Sequence, residues 1–370
     1  MPSLTTWWNR YPNLKRRRAR SSTTGRQVGN LCPAAFTLLA ASFLAGCIAH
    51  VHTPYAPSDI VLPAPDNKTQ PFAYSPQPVA VEERPEGEVD EYTVHHVQFA
   101  SYGENGQDGN LVSGYYYRSK EPGRKPIVII LPLWGTHTYP PEKLAKGIRK
   151  RSGGGMHVLM LSGEKVLIDW PRLQSSPNEA DFEKTVAHMA VRFSNTAIDV
   201  RRTVDWLETR AEVESGRIGL VGFSIGAVMG GMLIPQEPRI NSTALIMGGA
   251  NPGVIFGHCN GKLEDVREAI LPRFSWSVEQ YQETYSRYFD KADPVYFAGR
   301  ADPSRILMVD AHRDDCMPQS TRDNLWEALG RPERISFKYS HKRSFLSMTP
   351  LGFNFTGRKI YEFLDRSLAL

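Results

Sequence analysis

Five short apolar runs, separated by long amphipathic stretches, most strongly constrain what this chain can fold into. Each run has four or five residues and lacks the polar–apolar alternation of a half-exposed strand. Central strands covered on both faces show this pattern, and helices connect such strands in parallel sheets. The runs are residues 127–131, 157–161, 218–221, 244–247 and 306–309. The sequence therefore predicts an α/β fold, a mostly parallel central sheet flanked by helices, with ligands at the carboxyl ends of the strands.

The third apolar run leads directly into a G-x-S-x-G motif. Residues 222–226 read GFSIG and stand between this predicted strand and the predicted helix AVMGGMLI. In a sharp strand-to-helix turn, flanking glycines avoid Cβ clashes, and the serine oxygen is raised above the sheet. This context predicts Ser224 as a nucleophile and the amide of Ile225 as an oxyanion donor. The alternative is Gly-rich packing of a helix on the sheet.

A serine nucleophile needs a base, and the base needs a carboxylate that fixes its tautomer. Of the ten histidines, only His312 and His341 follow the last apolar run. His341 begins a loop after a further predicted strand, where its imidazole could reach the top of the sheet, and it is the predicted base. The acid stays open among three carboxylates near the preceding strand end, Asp310, Asp314 and Asp315.

Two segments resemble a known superfamily. Residues 199–226 and 293–318 are similar to the α/β-hydrolase superfamily, most of all to its dienelactone-hydrolase and acetyl-xylan-esterase-like members and their serine-peptidase relatives. In those proteins the acid lies in a G-x-x-D-x-x-V-P frame, which favours Asp314, although Ala311 replaces the glycine. The resemblance implies the α/β-hydrolase fold over about residues 95–368. It also implies a second oxyanion donor after an earlier strand, for which Trp134 is the candidate; a core tryptophan is the alternative.

An aromatic-rich stretch interrupts the pattern at about residues 251–300. In this fold such an insertion often forms a helical cap, and we hypothesise an aromatic-lined acyl or alcohol pocket. Ordinary helix packing is the alternative, because several of these aromatic residues are near helical spacing. Cys259 lies in the insertion and Cys316 beside Asp314, so an exported protein could join them in a disulfide.

The N-terminal residues resemble a bacterial lipoprotein signal. Seven Lys and Arg residues, with no Asp or Glu, precede or flank an uncharged run at 31–46 that ends before Cys47. Leu44-Ala45-Gly46-Cys47 resembles a lipobox, which implies removal of residues 1–46 and acylation of Cys47. Because Ile rather than Asp follows the cysteine, the resemblance implies a cell-envelope location, in the outer membrane facing the periplasm. An uncleaved anchor helix or ordinary signal peptide is the alternative.

The segment after Cys47 is rich in proline. Eight prolines fall within residues 48–90, and such a composition favours extended conformations that bury no core. The expected organisation is therefore a signal peptide at 1–46, a tether at 47–90 that holds the enzyme away from the membrane, and a hydrolase domain at 91–370.

Charge and motifs exclude several other functions. The net charge of +5 belongs to the leader, since the rest of the chain holds 37 Lys and Arg against 39 Asp and Glu, so no nucleic-acid partner is expected. No metal-binding or nucleotide-binding motif is present, and neither metal nor cofactor is expected. The prediction is a serine hydrolase of carboxylic esters with a small-molecule ester or acyl substrate, anchored to a membrane by lipid. A peptidase, an acyltransferase and a non-catalytic lipoprotein are the alternatives.

Overall fold

The structure, a computed structural model, describes residues 50–57, 72, 78–102, 108–133, 139–162, 167–344 and 354–368. All of them belong to the unit Cys47–Leu370. Ten strands form one sheet: β1 His50–Thr53, β2 Glu82–Val89, β3 Tyr92–Tyr102, β4 Asp108–Ser119, β5 Lys125–Ile130, β6 His157–Leu161, β7 Val213–Phe223, β8 Ile240–Ile246, β9 Ile306–Ala311 and β10 Glu333–Phe337.

The predicted apolar runs lie in the parallel centre of this sheet. The strand order is β1-β10-β9-β8-β7-β5-β6-β4-β3-β2, and the six strands from β10 to β6 are parallel. The strands β4, β3 and β2 add an antiparallel extension at one side, and β1 pairs antiparallel with β10 at the other. The carboxyl ends of the six parallel strands therefore share one edge of the sheet.

Helices cover both faces of the parallel strands. The helices of the described residues are α1 Pro141–Ser152, α2 Trp170–Ser175, α3 Glu179–Glu208, α4 Ile225–Leu233, α5 Pro252–His258, α6 Lys262–Phe274, α7 Val278–Phe289, α8 Gln319–Ala328, α9 His341–Ser344 and α10 Phe355–Ser367, of which α5 to α7 belong to the insertion. On β5, Ile127 and Ile129 join the core cluster of α3 and α4, whereas Val128 and Ile130 join that of α1 and α10. Successive side chains point to opposite faces, so a strand covered twice must be apolar throughout.

The predicted tether differs from the structure at both of its ends. Strand β1 pairs with β10, and β2 pairs with β3, although both fall within residues 47–90. Phe72, between them, is 1% exposed and belongs to the main core cluster. Proline is compatible with an edge strand, where one row of N–H groups needs no partner, and Pro85 lies in β2 beside an irregularity of the ladder. The proline-rich segment is therefore not a free spacer along its whole length.

The predicted leader and Cys47 lie outside the described residues. Within the described part of the chain, no helix is both long and apolar enough to cross a bilayer. The predicted boundaries at residues 46 and 90, the signal peptide and the lipid anchor stay predictions.

A buried histidine in the parallel sheet predicts a pH dependence of stability. His157 accepts a hydrogen bond from the Ser119 amide at Nδ1, 2.9 Å away, and its Nε2 lies 3.1 Å from the Glu212 carbonyl oxygen. Burial lowers the pKa of His157 below 6.5. The unfolded chain therefore takes up a proton first as the pH falls. We expect the free energy of unfolding to decrease below about pH 6.5, by at most about 1.4 kcal/mol per pH unit from this group.

The variant His157→Gln isolates this contribution. It should lower the free energy of unfolding at neutral pH, where the histidine is hydrogen-bonded to both Ser119 and Glu212. It should also make that free energy depend less on pH in the acid range. Urea unfolding over about pH 5 to 8 measures both effects. An identical acid slope in the wild type and the variant would mean that other groups carry the dependence.

Candidate active site

Ser224 occupies a strained turn at the end of β7. Its φ of 51° and ψ of −116° lie where a side chain is unfavourable, directly before α4 begins at Ile225. The adjacent glycine permits the turn, because a Cβ on Gly222 would lie 2.3 Å from the Gly226 carbonyl oxygen. Ser224 is held by its amide, which donates to the Ile246 carbonyl at 2.7 Å. Backbone strain of this kind is maintained where it serves a site.

The Ile225 amide lies at the first position of α4. The first amides of a helix lack an intrahelical acceptor, and the helix dipole favours negative charge at this end. A Cβ on Gly226 would lie 2.8 Å from the Pro132 carbonyl oxygen, so the chain leaving β5 passes close to this helix end. Trp134, the other predicted oxyanion donor, lies outside the described residues. Both oxyanion roles stay predictions.

Three side chains from three strand ends meet beside this turn. His341 Nε2 lies 3.1 Å from Ser224 Oγ, and His341 Nδ1 lies 2.9 and 2.8 Å from Oδ1 and Oδ2 of Asp314. Because Nδ1 faces a carboxylate, it holds the ring proton, and Nε2 presents its lone pair to the serine hydroxyl. These residues follow β7, β9 and β10, and we call this edge of the sheet the catalytic edge.

The structure distinguishes the three candidate acids by their contacts. The buried Asp314 carboxylate faces the imidazole, and its Oδ1 also accepts the amides of Cys316 and Met317 at 2.8 and 2.7 Å. Asp310 instead forms a buried ion pair with Arg334, with Oδ2 2.6 and 2.7 Å from its guanidinium. Asp315 accepts the backbone amide of His341 at 3.2 Å. The other candidate base, His312, is exposed.

Arg322 makes a buried contact with the loop of Asp314 that the sequence did not reveal. This α8 side chain is 2% exposed and donates to the carbonyl oxygens of Met317 and His312, at 3.0 and 3.3 Å. It thereby joins both ends of the loop that carries Asp314. Its acceptors are backbone oxygens, which every residue has, so no sequence motif could have indicated the contact.

A disulfide connects the insertion to the same loop. Cys259 follows α5 and is bonded to Cys316, two residues after Asp314. The Cys316 amide is one of the donors to the Asp314 carboxylate, so the bond restrains a segment that contacts the site. The sequence suggested this pair of cysteines, but it does not show that the two residues are close in space.

Loss of the disulfide should destabilise the protein substantially. The two cysteines are 57 residues apart, and closing a loop of this length restricts the unfolded chain by up to about 4 kcal/mol. We expect the double variant Cys259→Ser, Cys316→Ser to unfold at a lower denaturant concentration by a matching amount. The wild type under reducing conditions is the control and should show a similar shift. Unchanged midpoints in both would contradict a structural contribution of this bond.

The aromatic residues of the insertion form a core instead of the hypothesised pocket. Phe256, Tyr281, Tyr285 and Phe289 are at most 1% exposed. Tyr281 and Tyr285 pack on Phe182 of α3, and Phe289 packs on Phe193, with ring centroids 5.5 to 5.9 Å apart. Phe256 packs on Tyr285 and Phe289, at 4.8 and 5.2 Å. Burial raises the pKa of Tyr281 to about 12, so its hydroxyl stays protonated and donates to Tyr285 at 3.3 Å. The insertion helices need apolar surface to pack on the rest of the domain, and these rings provide it.

The site arrangement suits acyl transfer to a hydroxyl. It combines a strained serine, a base within hydrogen-bond distance and a carboxylate that orients the base. Among the described residues, no three His, Cys, Asp or Glu side chains form a group that could hold a metal ion.

Comparison with known proteins agrees with this chemistry. The sequence matches the dienelactone hydrolase family over residues 112–258, which include Ser224. Among curated proteins no sequence matches the chain. The family match supports a hydrolase that acts on carboxylic esters.

Solved structures confirm the predicted α/β-hydrolase fold. An acetyl xylan esterase from Paenibacillus sp. R4 is similar with a TM-score of 0.58 and 18% identity, over 79% of this chain and 90% of that chain. Acetyl xylan esterase 1 from Thermoanaerobacterium sp. JW/SL YS485 has a TM-score of 0.54 and 16% identity, over 76% and 88%. The Pyrococcus horikoshii acylaminoacyl peptidase has a TM-score of 0.52 and 13% identity, over 76% and 42%.

Proposed function

We propose that this protein is a serine hydrolase that cleaves carboxylic esters through a Ser224–His341–Asp314 triad and an acyl-enzyme. The continuous contact from the serine hydroxyl through the imidazole to a buried carboxylate carries the proposal. Each member follows the carboxyl end of a different parallel strand, and this class of fold binds ligands at these ends.

The proposed reaction has two halves with balanced proton transfers. Ser224 Oγ attacks the ester carbonyl while His341 Nε2 takes the hydroxyl proton, and the Ile225 amide, with Trp134 as the second candidate, donates to the oxyanion. The imidazolium then protonates the departing alcohol, which leaves an acyl-serine. Water attacks this ester, His341 accepts the water proton, and the acid is released as the proton returns to Ser224.

A substrate panel tests the reaction class. Two purified proteins are compared, residues 91–370 and residues 50–370, because only the second retains β1 and β2 of the sheet. Each is supplied with nitrophenyl esters, matching amides and acetylated sugars. We expect ester hydrolysis to exceed amide hydrolysis clearly. Preference for amides would favour a peptidase, and faster turnover with an added alcohol acceptor would favour an acyltransferase. Inactivity of the 50–370 protein toward all of them, without labelling by a fluorophosphonate, would favour a non-catalytic lipoprotein.

We also propose that Cys47 is acylated and anchors the enzyme to the cell envelope, in the outer membrane facing the periplasm. The lipobox-like residues before Cys47 and the apolar run at 31–46 support this proposal. Fractionation of cells that express the wild type or Cys47→Ala tests it. Transfer of the variant from the membrane to the soluble fraction is expected, and unchanged membrane partitioning would contradict the lipid anchor.

A further inference from the structure

The first described strand enters the sheet at its catalytic edge. Strand β1 runs antiparallel to β10, with His50 opposite Phe337 and Thr53 opposite Arg334. Phe337 is the last residue of β10, and His341 follows four residues later. The start of β1 therefore lies at the same edge as the triad, and the chain runs from there toward the opposite edge.

Side chains fasten β1 at both ends. The His52 imidazole Nε2 lies 3.0 Å from Glu333 Oε1, at the beginning of β10. At the other end, the His50 ring centroid lies 4.7 Å from that of Phe355 in α10 and 6.1 Å from that of Phe337. The strand is exposed along its length, so these contacts and the ladder hydrogen bonds hold it in register.

Covalent geometry limits how far Cys47 can be from this edge. Ile48 and Ala49 alone separate Cys47 from His50. Three peptide units of 3.8 Å span at most about 11 Å. A free tether over all of 47–90 would instead reach on the order of 150 Å when extended. An acyl chain on Cys47 would therefore keep the catalytic edge close to the bilayer.

Exposed positive charge lies at this corner of the sheet. Arg313 precedes Asp314 and donates its amide to the Tyr339 carbonyl at 3.0 Å, and Lys338 directly follows β10; both side chains are exposed. Of the two carboxylates that follow Arg313, Asp314 is buried against His341, and Asp315 is half-buried and accepts the His341 amide. Basic side chains near a membrane are attracted to anionic headgroups.

We propose that the lipid on Cys47 holds the catalytic edge against an anionic phospholipid bilayer, so that the enzyme acts on acyl esters located in that bilayer. The proposal deepens the proposed function, since it depends on the ester hydrolase activity and on the anchor. It replaces the expectation of a spacer that holds the domain away from the membrane.

Two insertions of equal length test the proposal on the full lipidated chain. About twelve Gly and Ser residues are added either between Ala49 and His50 or between Asp66 and Asn67. Only the first lengthens the connection from Cys47 to β1, by about fivefold, and effective concentration falls roughly as the −3/2 power of linker length. In vesicles containing phosphatidylglycerol, we expect the first insertion to reduce hydrolysis of a bilayer-embedded acyl ester on the order of tenfold. The second should leave it near the wild-type rate.

A water-soluble nitrophenyl ester separates failure of this inference from failure of the proposed function. Both insertion variants should hydrolyse it like the wild type, which also shows that they fold. Equal loss, or no loss, of embedded-ester hydrolysis in both variants, with soluble activity intact, would overturn the membrane orientation alone. A wild type inactive toward both esters would overturn the proposed function, and a wild type that does not bind vesicles would overturn the anchor and this inference with it.

Fluorescence quenching measures the orientation without any turnover. A fluorophore is attached at Lys338→Cys, at the catalytic edge, or at Ser304→Cys, which precedes β9 at the opposite edge. Lipids with nitroxide headgroups should quench the first label more than the second in vesicle-bound protein. Equal quenching, or stronger quenching at residue 304, would contradict the proposal even if the enzyme is active.

Discussion

Replacing Ser224 by alanine is expected to reduce kcat/KM for a nitrophenyl ester by at least about 10⁴-fold. The hydroxyl is the group that would form the acyl-enzyme, and its oxygen lies 3.1 Å from the imidazole that would take its proton. The variant should also lose covalent labelling by a fluorophosphonate, which intact-mass spectrometry detects. Its stability should stay close to that of the wild type, because alanine fits wherever this serine fits.

Ser242→Ala is the matched control. Ser242 is a buried serine on β8 whose hydroxyl is 2.5 Å from that of Ser367, and no part of the proposed reaction involves it. This variant should keep both labelling and turnover. Equal labelling of Ser224→Ala and the wild type would show that another residue reacts, and the proposed triad would be wrong.

Replacing Asp314 by asparagine is expected to reduce kcat/KM on the order of 10⁴-fold. The carboxylate holds the Nδ1 proton of His341, whereas an amide can present an N–H to Nδ1 and favour the tautomer that cannot accept the serine proton. If the asparagine side chain instead turned its NH2 group toward the loop, that group would face the backbone N–H groups of Cys316 and Met317, which need an acceptor. The pH dependence of turnover by the Asp314→Asn variant tests whether His341 can still accept the serine proton.

The neighbouring carboxylates provide matched controls. Asp315→Asn keeps an oxygen for the His341 amide, and turnover should change little. Asp310→Asn removes the charge that faces Arg334 and Arg322 and should cost about 3–5 kcal/mol of unfolding free energy, with most of the turnover retained in the folded fraction. If either variant lost as much turnover as Asp314→Asn while remaining folded, the acid would have been assigned to the wrong residue.

Local patterns were sufficient for the fold class and for the nucleophile candidate. A strand covered on both faces must be apolar at every position. The apolar run in β5 therefore indicates a central strand without knowledge of the neighbouring strands. The tight turn at Ser224 likewise requires small flanking residues, which the G-x-S-x-G motif displays directly. Each of these features is decided by residues that are adjacent in the chain.

Contacts between distant residues decided the remainder. Asp310, Asp314 and Asp315 lie within six positions, and what each carboxylate faces depends on Arg334, His341 and the packing of β9 against β10. Strand β1 has four exposed residues and no apolar pattern, so its place beside β10, about 280 residues away in sequence, leaves no local signal. The aromatic residues of the insertion were identified as a group, but only the position of α3 decides that they fill a core. A sequence determines by itself what short-range sterics and solvent exposure impose, whereas the partners of polar and edge groups depend on surfaces that exist only once the chain has folded.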